Sequence, residues 1–511
     1  MKRKTFIMAL VVAVVMMLSI RFLLADTIPQ PPSNFDEPDA GLSVDNPYLI
    51  STFANLRWLS ETESAWGSRT QIYYYKQTAD IDAIETIIWS DGKGFSPIGY
   101  GWSPVFVPFR SHYDGNNHTI SNLFIYRPDQ RSVALFGRLD GGSITNVRLE
   151  NVDITGYDYV GGLGGTFLYT STNIATPITL VENNSVTGVI TGNNCIGGLA
   201  GSVGVSLTHV KYNSVDVTVS GYDSVGGLIG NITQATTYNN SSYGEVYGIQ
   251  NVGGLVGISW GSLNFENTPK NEFVIKNSFS RARVTGESSI GGLVGYALSS
   301  TIINSYATGE VVGFSRVGGL VGTLMPMVEF VDAECYLINS VYDIQSTGVT
   351  YIVGYIHPIQ VTITNSTGKT TEEMKMESTF AVLDWDFEDI WSIDQSINDG
   401  YPFLIYDSEV NESEKTLPVK QNILYANYPN PFNPETTISF FLMRDSYVNV
   451  DIYNIRGQKI KSLVSEFKTA GSHHVVWNGT DENGLPVSSG IYFHKMQSND
   501  FTATKRMLLL K

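Results

Sequence analysis

Two aspartates, Asp158 and Asp223, occupy the same position in two copies of a glycine-rich repeat, two residues after a glycine. Polysaccharide-cleaving enzymes use a pair of carboxylates to protonate a glycosidic oxygen and to activate a nucleophile or a water molecule. In the other four copies this position holds an amide or a hydroxyl, at Asn194, Gln250, Ser288 and Ser315. Because aspartate also favours turns, we interpret both aspartates as turn-forming residues and predict no catalytic residue.

Aromatic residues stand beside these aspartates. Tyr157 and Tyr222 each precede one of them, and Phe314 has the equivalent place in another copy. We call the five residues Tyr157, Asp158, Tyr222, Asp223 and Phe314 the turn row, and we predict that they share one exposed turn. An exposed row of aromatic rings on a rigid scaffold is a candidate binding surface.

A second set of aromatic residues lies in or beside insertions. Three copies have a long connection to the next asparagine, at 165–184, 257–277 and 322–339, whereas three others are short. Insertions at one corner of a repeat project from one side. They contain Phe167, Tyr169, Trp260 and Phe265, which we call the aromatic ridge and predict to bind a polysaccharide or a protein. The alternative is that these rings pack back onto the scaffold.

The sequence predicts neither a metal nor a cofactor. Seven histidines are scattered, and the chain has no HExxH, no G-x-S-x-G and no Walker loop. The stretch "DGNNHT" (114–119) is typical of a turn between strands. The stretch "DENG" (481–484) lacks the remaining ligands of a calcium loop.

The scaffold that must position these residues is a sixfold repeat around a double glycine. The pairs begin at Gly161, Gly197, Gly226, Gly253, Gly291 and Gly318. Each pair is followed by leucine and preceded by valine or isoleucine. An asparagine lies 13 to 15 residues upstream, at Asn146, Asn184, Asn213, Asn240, Asn277 and Asn304. The shortest period, 27 residues, is typical of a solenoid.

The pattern within each copy predicts strands. In "VDVTVSG" (215–221) valine alternates with polar residues, as expected for a half-buried strand. One coil cannot bury its own apolar face, but stacked coils can, with the leucines and asparagines in internal columns. Glycine is required where φ is positive or where backbones approach closely. We predict an all-β fold: a right-handed parallel β-helix followed by a small immunoglobulin-like sandwich.

Composition shifts divide the chain. We predict a β-helix over 46–371, with N-terminal capping coils at 46–140, and a C-terminal cap at 372–405 that folds over the final rung. The polar residues 406–421 are interpreted as a linker, and 422–511 as the immunoglobulin-like domain. Within it we predict two hairpins, one turning at "NIRG" (454–457) and one at "DENG".

The chain begins with the features of an export signal. Basic residues 2–4 precede an apolar run, 6–20, that is too short to span a bilayer, and 23–25 offer a cleavage site. We predict a signal peptide over 1–25 and a mature chain without a transmembrane segment, secreted or on the cell surface. Cys195 and Cys335 are interpreted as buried small side chains, with a disulfide as the alternative.

Composition agrees with a turn-rich β protein. Only 16% of the 511 residues are charged, and 49 are glycine. The net charge of −17 repels phosphate backbones, so we exclude nucleic acid as a partner.

Two family resemblances follow from the motifs. The phrase "VGGLVG" (252–257, 317–322) with spaced "NS" resembles the GLUG repeat of bacterial surface proteins, and the resemblance covers 46–405. It implies an extracellular parallel β-helix without implying one activity. "YPNPFNPETTI", "VDIYNIRGQKI" and "SGIYF" resemble the C-terminal sorting domain of the type IX (Por) secretion system. Similar sequence occurs in immunoglobulin-like domains of flagellar hook-capping proteins.

These resemblances imply a surface protein that the secretion machinery exports through its last domain. We expect an adhesin or glycan-binding module rather than an enzyme. The alternatives are a polysaccharide lyase or hydrolase on a β-helix scaffold and a structural surface component without a ligand.

Overall fold

The structure is a computed structural model of the chain. It describes residues 27–102, 105–168, 179–204, 208–261, 274–327, 334–405, 422–424, 427, 432–442, 445–469, 471–498 and 501–510. The predicted signal peptide and linker lie outside these residues. The chain divides into two compact units between Ser408 and Glu409, and each is described separately below.

The first unit is a solenoid whose coils contribute to four parallel sheets, which we call A to D in the order in which each coil enters them. Among the described residues sheet A has eleven strands: Tyr48–Ile50, Tyr74–Gln77, His112–Asp114, Ser143–Thr145, Thr179–Glu182, Thr208–Lys211, Thr236–Tyr238, Val274–Lys276, Thr301–Ile303, Cys335–Ile338 and Val361–Thr364. In the same residues sheet B has thirteen: Ile81–Asp82, Thr119–Ser121, Phe124–Tyr126, Arg148–Thr155, Ser185–Thr191, Ser214–Ser220, Ser241–Tyr247, Phe279–Ser280, Arg283–Thr285, Tyr306–Ala307, Val311–Val312, Val341–Asp343 and Thr367–Lys369.

Sheets C and D flank the double glycines. The described strands of sheet C are Asp158–Val160, Asn194–Gly197, Asp223–Gly226, Gln250–Gly253, Ser288–Gly291 and Ser315–Gly318. Those of sheet D are Phe136–Asp140, Gly164–Leu168, Ala200–Gly204, Ile229–Thr233, Val256–Trp260, Val294–Leu298, Val321–Met325 and Val353–Ile356. Successive coils pair in parallel and in register, so equivalent residues of the repeat form columns. The predicted parallel solenoid is therefore confirmed.

Short elements outside the four sheets complete this unit. Among its described residues the α-helices are Phe53–Glu61, Ile344–Thr347 and Glu377–Ala381, and the 3-10 helices are Glu63–Trp66, Ile84–Ile88, Ser90–Gly92, Glu373–Lys375 and Asn398–Gly400. Two antiparallel pairs are Tyr100–Trp102 with Val105–Val107, and Trp391–Ser392 with Phe403–Leu404. Thr52 caps the first helix in a capping box with Asn55, and its Leu56 and Leu59 are fully buried in the solenoid core.

The double glycines allow neighbouring backbones to approach closely, and they do not form a left-handed turn. None of the six has a positive φ. A Cβ on Gly226 would lie 2.0 Å from the carbonyl oxygen of Ile229. The left-handed residue is instead the second one before each pair: Tyr159, Cys195, Ser224, Asn251, Ser289 and Arg316, with φ between 54° and 59°.

The predicted asparagine column is half right. Asn184, Asn213 and Asn240 are buried and hydrogen-bond one to the next, with Nδ2 to Oδ1 distances of 3.0 Å. From the next coil on, serine takes this internal place. The hydroxyls of Ser278, Ser305, Ser340 and Ser366 each accept from a backbone N–H of the coil before, namely those of Asn240, Ser278, Ser305 and Ser340 in turn.

Asn146, Asn277 and Asn304 belong to a neighbouring column. The register aligns them with Asn183, Tyr212 and Asn239, which are left-handed bend residues. Aligning every "NS" therefore mixed two columns that differ by one residue.

The segment 372–405 does not simply close the final rung, which corrects our expectation for the cap. It covers the outer face of sheet B, where Phe279, Tyr306 and Val341 point away from the core and are fully buried against Trp385 and Trp391. The rings of Phe279 and Tyr306 are parallel, with centroids 4.8 Å apart. Outward apolar side chains on three successive rungs require such a lateral cover.

Polar contacts hold this cover in place. Arg281 pairs with Asp399 at 2.7 Å and donates to the Asn398 amide oxygen at 2.7 Å. The Tyr401 hydroxyl donates to Asp343 at 2.7 Å. Hydrogen bonds and an ion pair between the solenoid and the segment 372–405 therefore hold this segment against the outer face of sheet B.

The second unit is a two-sheet antiparallel sandwich. One sheet contains Ile423–Leu424, Thr436–Leu442 and Gly471–Trp477, and the other contains Lys459–Lys468, Ser446–Asn454, Gly490–Ser498 and Phe501–Leu509. Trp477 is fully buried between the sheets and contacts the rings of Phe432 and Tyr492. The predicted immunoglobulin-like class is confirmed.

One of the two predicted hairpins of this unit is wrong. The strand before "DENG" pairs with Thr436–Leu442, whereas the strand after it pairs with Ser446–Asn454 and Phe501–Leu509. The turn therefore crosses between the sheets. The hairpin at "NIRG" is present.

Candidate functional site

Burial divides the aromatic ridge. Trp260 ends a strand of sheet D and is 40% exposed. Phe167 has no exposed surface, so its place on a binding ridge was wrong. It aligns with Leu139 and Val203 in an inward column of sheet D, because it is the sixth residue after the first glycine of its repeat. Tyr169 and Phe265 lie outside the described residues.

The strand bounds place all three insertions at one corner. Each begins where a sheet D strand ends, at Leu168, Trp260 or Met325, and each leads to the next strand of sheet A. The three short copies make the same connection between Gly204 and Thr208, between Thr233 and Thr236, and between Leu298 and Thr301. The described strand ends from which the insertions leave therefore share one edge of the solenoid, and Trp260 is one of these strand ends.

The aromatic members of the turn row lie in one column. Backbone hydrogen bonds link this turn from rung to rung, through Tyr157, Asn193, Tyr222, Ile249, Glu287 and Phe314. Tyr157 is 42% exposed, Tyr222 50% and Phe314 92%. Asn193 separates the two tyrosines, so their backbones are about 10 Å apart, at roughly 4.8 Å per rung. The rings are exposed and aligned, but they are not adjacent.

The two aspartates of the turn row are engaged in hydrogen bonds. Asp158 is 6% exposed and pairs with Arg131 at 3.1 Å. Its other oxygen accepts from the backbone N–H of Asn194 at 3.2 Å and from its amide at 3.0 Å. Asp223 accepts from the Asn251 amide at 2.7 Å. These bonds agree with the interpretation of both residues as turn formers.

Asp158 and Asp223 also lie on different rungs. Each pairs in register with Asn194, which stands between them. Their backbones are therefore about 10 Å apart. Neither the bonding nor the spacing creates a free pair of carboxylates.

Position in the repeat identifies further groups that sequence reasoning missed. Tyr159 and Arg316 are the left-handed residues two before a double glycine, Tyr296 is fifth after one, and Tyr355 pairs in register with Thr323, which is also fifth after one. Burial raises the pKa of Tyr159 and of Tyr296, so both hydroxyls stay protonated at neutral pH. A fixed offset from the double glycine, rather than the residue type, was the signal that could have found them.

Both cysteines are present as free thiols. Cys335 is buried in sheet A, and Cys195 is half-buried in sheet C. Burial raises the pKa of the Cys195 thiol to about 12 and that of Cys335 to about 11. The prediction of a buried small side chain is confirmed for Cys335, whereas Cys195 is half-buried.

The described residues contain neither a candidate metal site nor a membrane-spanning helix. No group of three or more histidine, cysteine, aspartate or glutamate side chains is placed to hold a metal ion. No helix in that part of the chain has both the length and the apolar character needed to cross a bilayer.

Two family models match parts of the chain. Residues 286–312 match the GLUG motif, and residues 433–500 match the FlgD Ig-like domain. The first match lies in the solenoid and the second in the sandwich. Both agree with the resemblances drawn from the sequence, and neither is specific to a type IX sorting domain.

Two curated relatives match the chain over shorter stretches. Halomucin of Haloquadratum walsbyi is 39% identical over 161 residues, which is 31% of this chain and 2% of that protein. A putative Gly-rich membrane protein of Evansella cellulosilytica is 29% identical over 116 residues, 23% of this chain and 12% of that protein. The matched stretch therefore covers only a small part of each relative's length.

Solved structures give distant likenesses. A putative immunoglobulin A1 protease from Bacteroides ovatus is 18% identical with a TM-score of 0.46, over 72% of this chain and 94% of that one. PorZ, a surface component of the type IX secretion system of Porphyromonas gingivalis, is 21% identical with a TM-score of 0.14, over 17% of this chain and 11% of that one. Dimeric latent PorU from the same organism is 17% identical with a TM-score of 0.16, over 22% and 10%. Likenesses this distant carry no functional argument.

Proposed function

We propose that the protein is a secreted or surface-displayed β-helix that binds a glycan, as an adhesin or a glycan-binding module. The observation that carries this proposal is the column of exposed aromatic rings at Tyr157, Tyr222 and Phe314, together with Trp260, on a stack of hydrogen-bonded rungs. Exposing a large ring to water is unfavourable unless a partner covers it, and a stacked sheet holds the rings at fixed spacing.

Engagement of the aspartates favours binding over cleavage. A glycosidase needs one carboxyl group free to protonate the leaving oxygen and a second free to attack or to activate water. Asp158 is instead paired with Arg131 and bonded to Asn194, and Asp223 is bonded to Asn251. The binding role is therefore the better-supported reading, and the lyase or hydrolase is the second candidate.

We assign export to the last domain. Its sequence motifs resemble the type IX sorting domain, and the match to the FlgD Ig-like domain supports a compact module at the end of the chain. The basic and apolar residues of 1–25 would direct the first step across the inner membrane. Deleting 422–511 should leave the protein in the periplasm of a bacterium that has this system, and unchanged secretion on cell fractionation would contradict the assignment.

The binding function is tested with the purified full chain on immobilised polysaccharides. Retention without release of reducing ends or unsaturated sugars supports a binding module. Release of sugar identifies an enzyme and makes Asp158 and Asp223 the candidate catalytic residues. Ordered self-assembly without retention identifies the third alternative, a structural surface component.

A further inference from the structure

The outer faces of sheets C and D converge along a seam. On sheet C the contributing residue is the second before each double glycine, and on sheet D it is the fifth after. Across the seam, the Ser289 and Thr323 hydroxyls are 2.9 Å apart, and those of Ser132 and Thr166 are 3.0 Å apart. The chain neighbours Ile290 and Leu324 lie in the apolar core, so the Ser289 and Thr323 hydroxyls point away from it, and all four hydroxyl side chains are buried in the seam. Outward side chains from two sheets touch only where the surface is concave.

This concave surface is long and has defined ends. Its sheet D column runs from Arg138 to Tyr355 across eight strands, which is about 34 Å at roughly 4.8 Å per strand. At one end Phe106 packs over the Arg138 guanidinium, 4.5 Å from the ring centre. At the other end Arg316 lies over the Tyr355 ring at 5.1 Å. We call the surface between these pairs the C–D groove.

The two predicted aromatic sets border this one groove. The aromatic members of the turn row precede sheet C, two residues before the floor position. Trp260 ends a sheet D strand, two residues after the floor residue Ile258, on the same outward face. The equivalent strand-end residue Met325 accepts from the Tyr296 hydroxyl of the floor at 2.8 Å. Both edges of the groove therefore carry exposed rings, with half-buried Tyr159 and Tyr296 between them.

The charge of the groove differs from that of the unit around it. Residues 26–408 hold 39 acidic and 17 basic side chains, a net charge of −22. In the groove positions the carboxylates of Asp140, Asp158, Asp223 and Glu287 are nearly balanced by Arg131, Arg138 and Arg316. Asp158 is neutralised by Arg131, and Asp140 by Arg110 outside the floor. An acidic polymer would be repelled by the unit and would find no excess of cations in the groove.

We propose that the C–D groove binds an extended, uncharged polysaccharide that lies along the stack of rungs. The rings at the two edges stack on sugar faces, and the half-buried side chains between them, Tyr159, Asn231, Asn251 and Tyr296, hydrogen-bond to sugar hydroxyls. This inference rests on the proposed glycan-binding function and names the class of glycan and its place.

The test measures binding of the full chain to soluble neutral polysaccharides, namely xylan, mannan and a β-1,3-glucan, with polygalacturonate as the acidic comparison. Tyr222→Ala removes a ring from one edge and Trp260→Ala a ring from the other. Each should weaken binding to the neutral polymer roughly tenfold, and the double variant roughly a hundredfold, since one chain contacts both edges.

Phe467→Ala is the matched control. This ring is 64% exposed but lies in the sandwich unit, so its removal should leave binding unchanged. All of the replaced side chains are exposed, and thermal denaturation followed by circular dichroism checks that each variant is folded.

The outcomes separate the two proposals. If the wild type binds none of the polysaccharides, the proposed function fails and the groove assignment fails with it. If it binds a neutral polymer but either edge variant binds as tightly as the wild type, the groove assignment alone is overturned. Tighter binding to polygalacturonate than to any neutral polymer overturns the assignment of an uncharged ligand.

Discussion

Replacing Asn213 tests the internal amide column, which ties neighbouring rungs together. Its side chain is fully buried and accepts from the backbone N–H of Asn184 at 3.1 Å and from the Asn184 amide at 3.0 Å. It donates to the carbonyl oxygens of Val181 and Lys211 and to the Asn240 amide. Asn213→Ala should therefore remove bonds to the rungs on both sides.

The cost of Asn213→Ala follows from the groups left behind. The Asn184 backbone N–H loses its acceptor, which costs about 1–3 kcal/mol for a buried donor. The other lost bonds add about 1 kcal/mol net, so we expect a total near 3 kcal/mol.

Serine at position 213 should restore part of this stability. In the equivalent place Ser278 accepts from the Asn240 backbone N–H at 3.2 Å and donates to the Lys276 carbonyl at 2.8 Å. A serine hydroxyl at 213 can make the same two bonds, to Asn184 and Lys211. Asn213→Ser should therefore cost about 1 kcal/mol.

The assay is hydrogen exchange of the strands Thr208–Lys211 and Ser214–Ser220, read together with thermal denaturation of the full chain. Asn193→Ala is the control, because this half-buried amide makes one long hydrogen bond, 3.3 Å, to Asp158. Equal loss of protection for Asn213→Ala and Asn213→Ser, or a loss in Asn213→Ala no larger than in the control, would refute the reasoning.

Three further changes follow from burial. Phe167→Ala should destabilise the solenoid by about 3–5 kcal/mol in denaturant unfolding, without weakening glycan binding per folded molecule. Gly226→Ala places a Cβ 2.0 Å from a carbonyl oxygen and should lower the melting temperature more than Gly484→Ala, whose Cβ meets nothing within 4 Å and whose cost is limited to the backbone strain of a φ of 77°. Cys195 and Cys335 should resist iodoacetamide at pH 8 until the chain is unfolded, because burial holds their thiol pKa values at about 12 and about 11, so little thiolate forms.

The class of fold was predictable because its signals are local. Alternation in 215–221 specifies a strand with one buried face, and the sheet buries Val215, Val217 and Val219 as expected. The double glycine repeats because a side chain there would strike the backbone of the same or the next rung. Both constraints act within a few residues, so they can be recognised in a single sequence.

Register was not predictable from residue type alone. The left-handed bend residue stands 14 positions before the double glycine at Asn183, Tyr212, Asn239, Asn277 and Asn304. Tyr212 interrupts the asparagines of this column, and the adjacent Asn213, which belongs to the internal column, is easily mistaken for the bend residue. The variable spacing of 13 to 15 residues was the sign that two columns had been merged.

Burial was the other property that could not be predicted from residue type alone. Phe167 begins an inserted segment in the sequence, yet its offset of six from the double glycine is the inward position that Val203 and Ile232 occupy. The lateral cover over Phe279 and Tyr306 depends on contacts made about a hundred residues apart along the chain. The sequence of 372–405 has no periodicity that indicates the sheet against which it packs.

Comparison of the rungs with one another supports a role for the exposed rings beyond folding. At the turn-row position successive rungs carry tyrosine, asparagine, tyrosine, isoleucine, glutamate and phenylalanine, all with the same backbone hydrogen bonds. The turn therefore forms without an aromatic side chain. Phe314, at 92% exposure, packs little of its ring against its own rung and exposes it to water. A large ring that the rung does not require, fixed beside a concave face, is better explained by a partner than by stability.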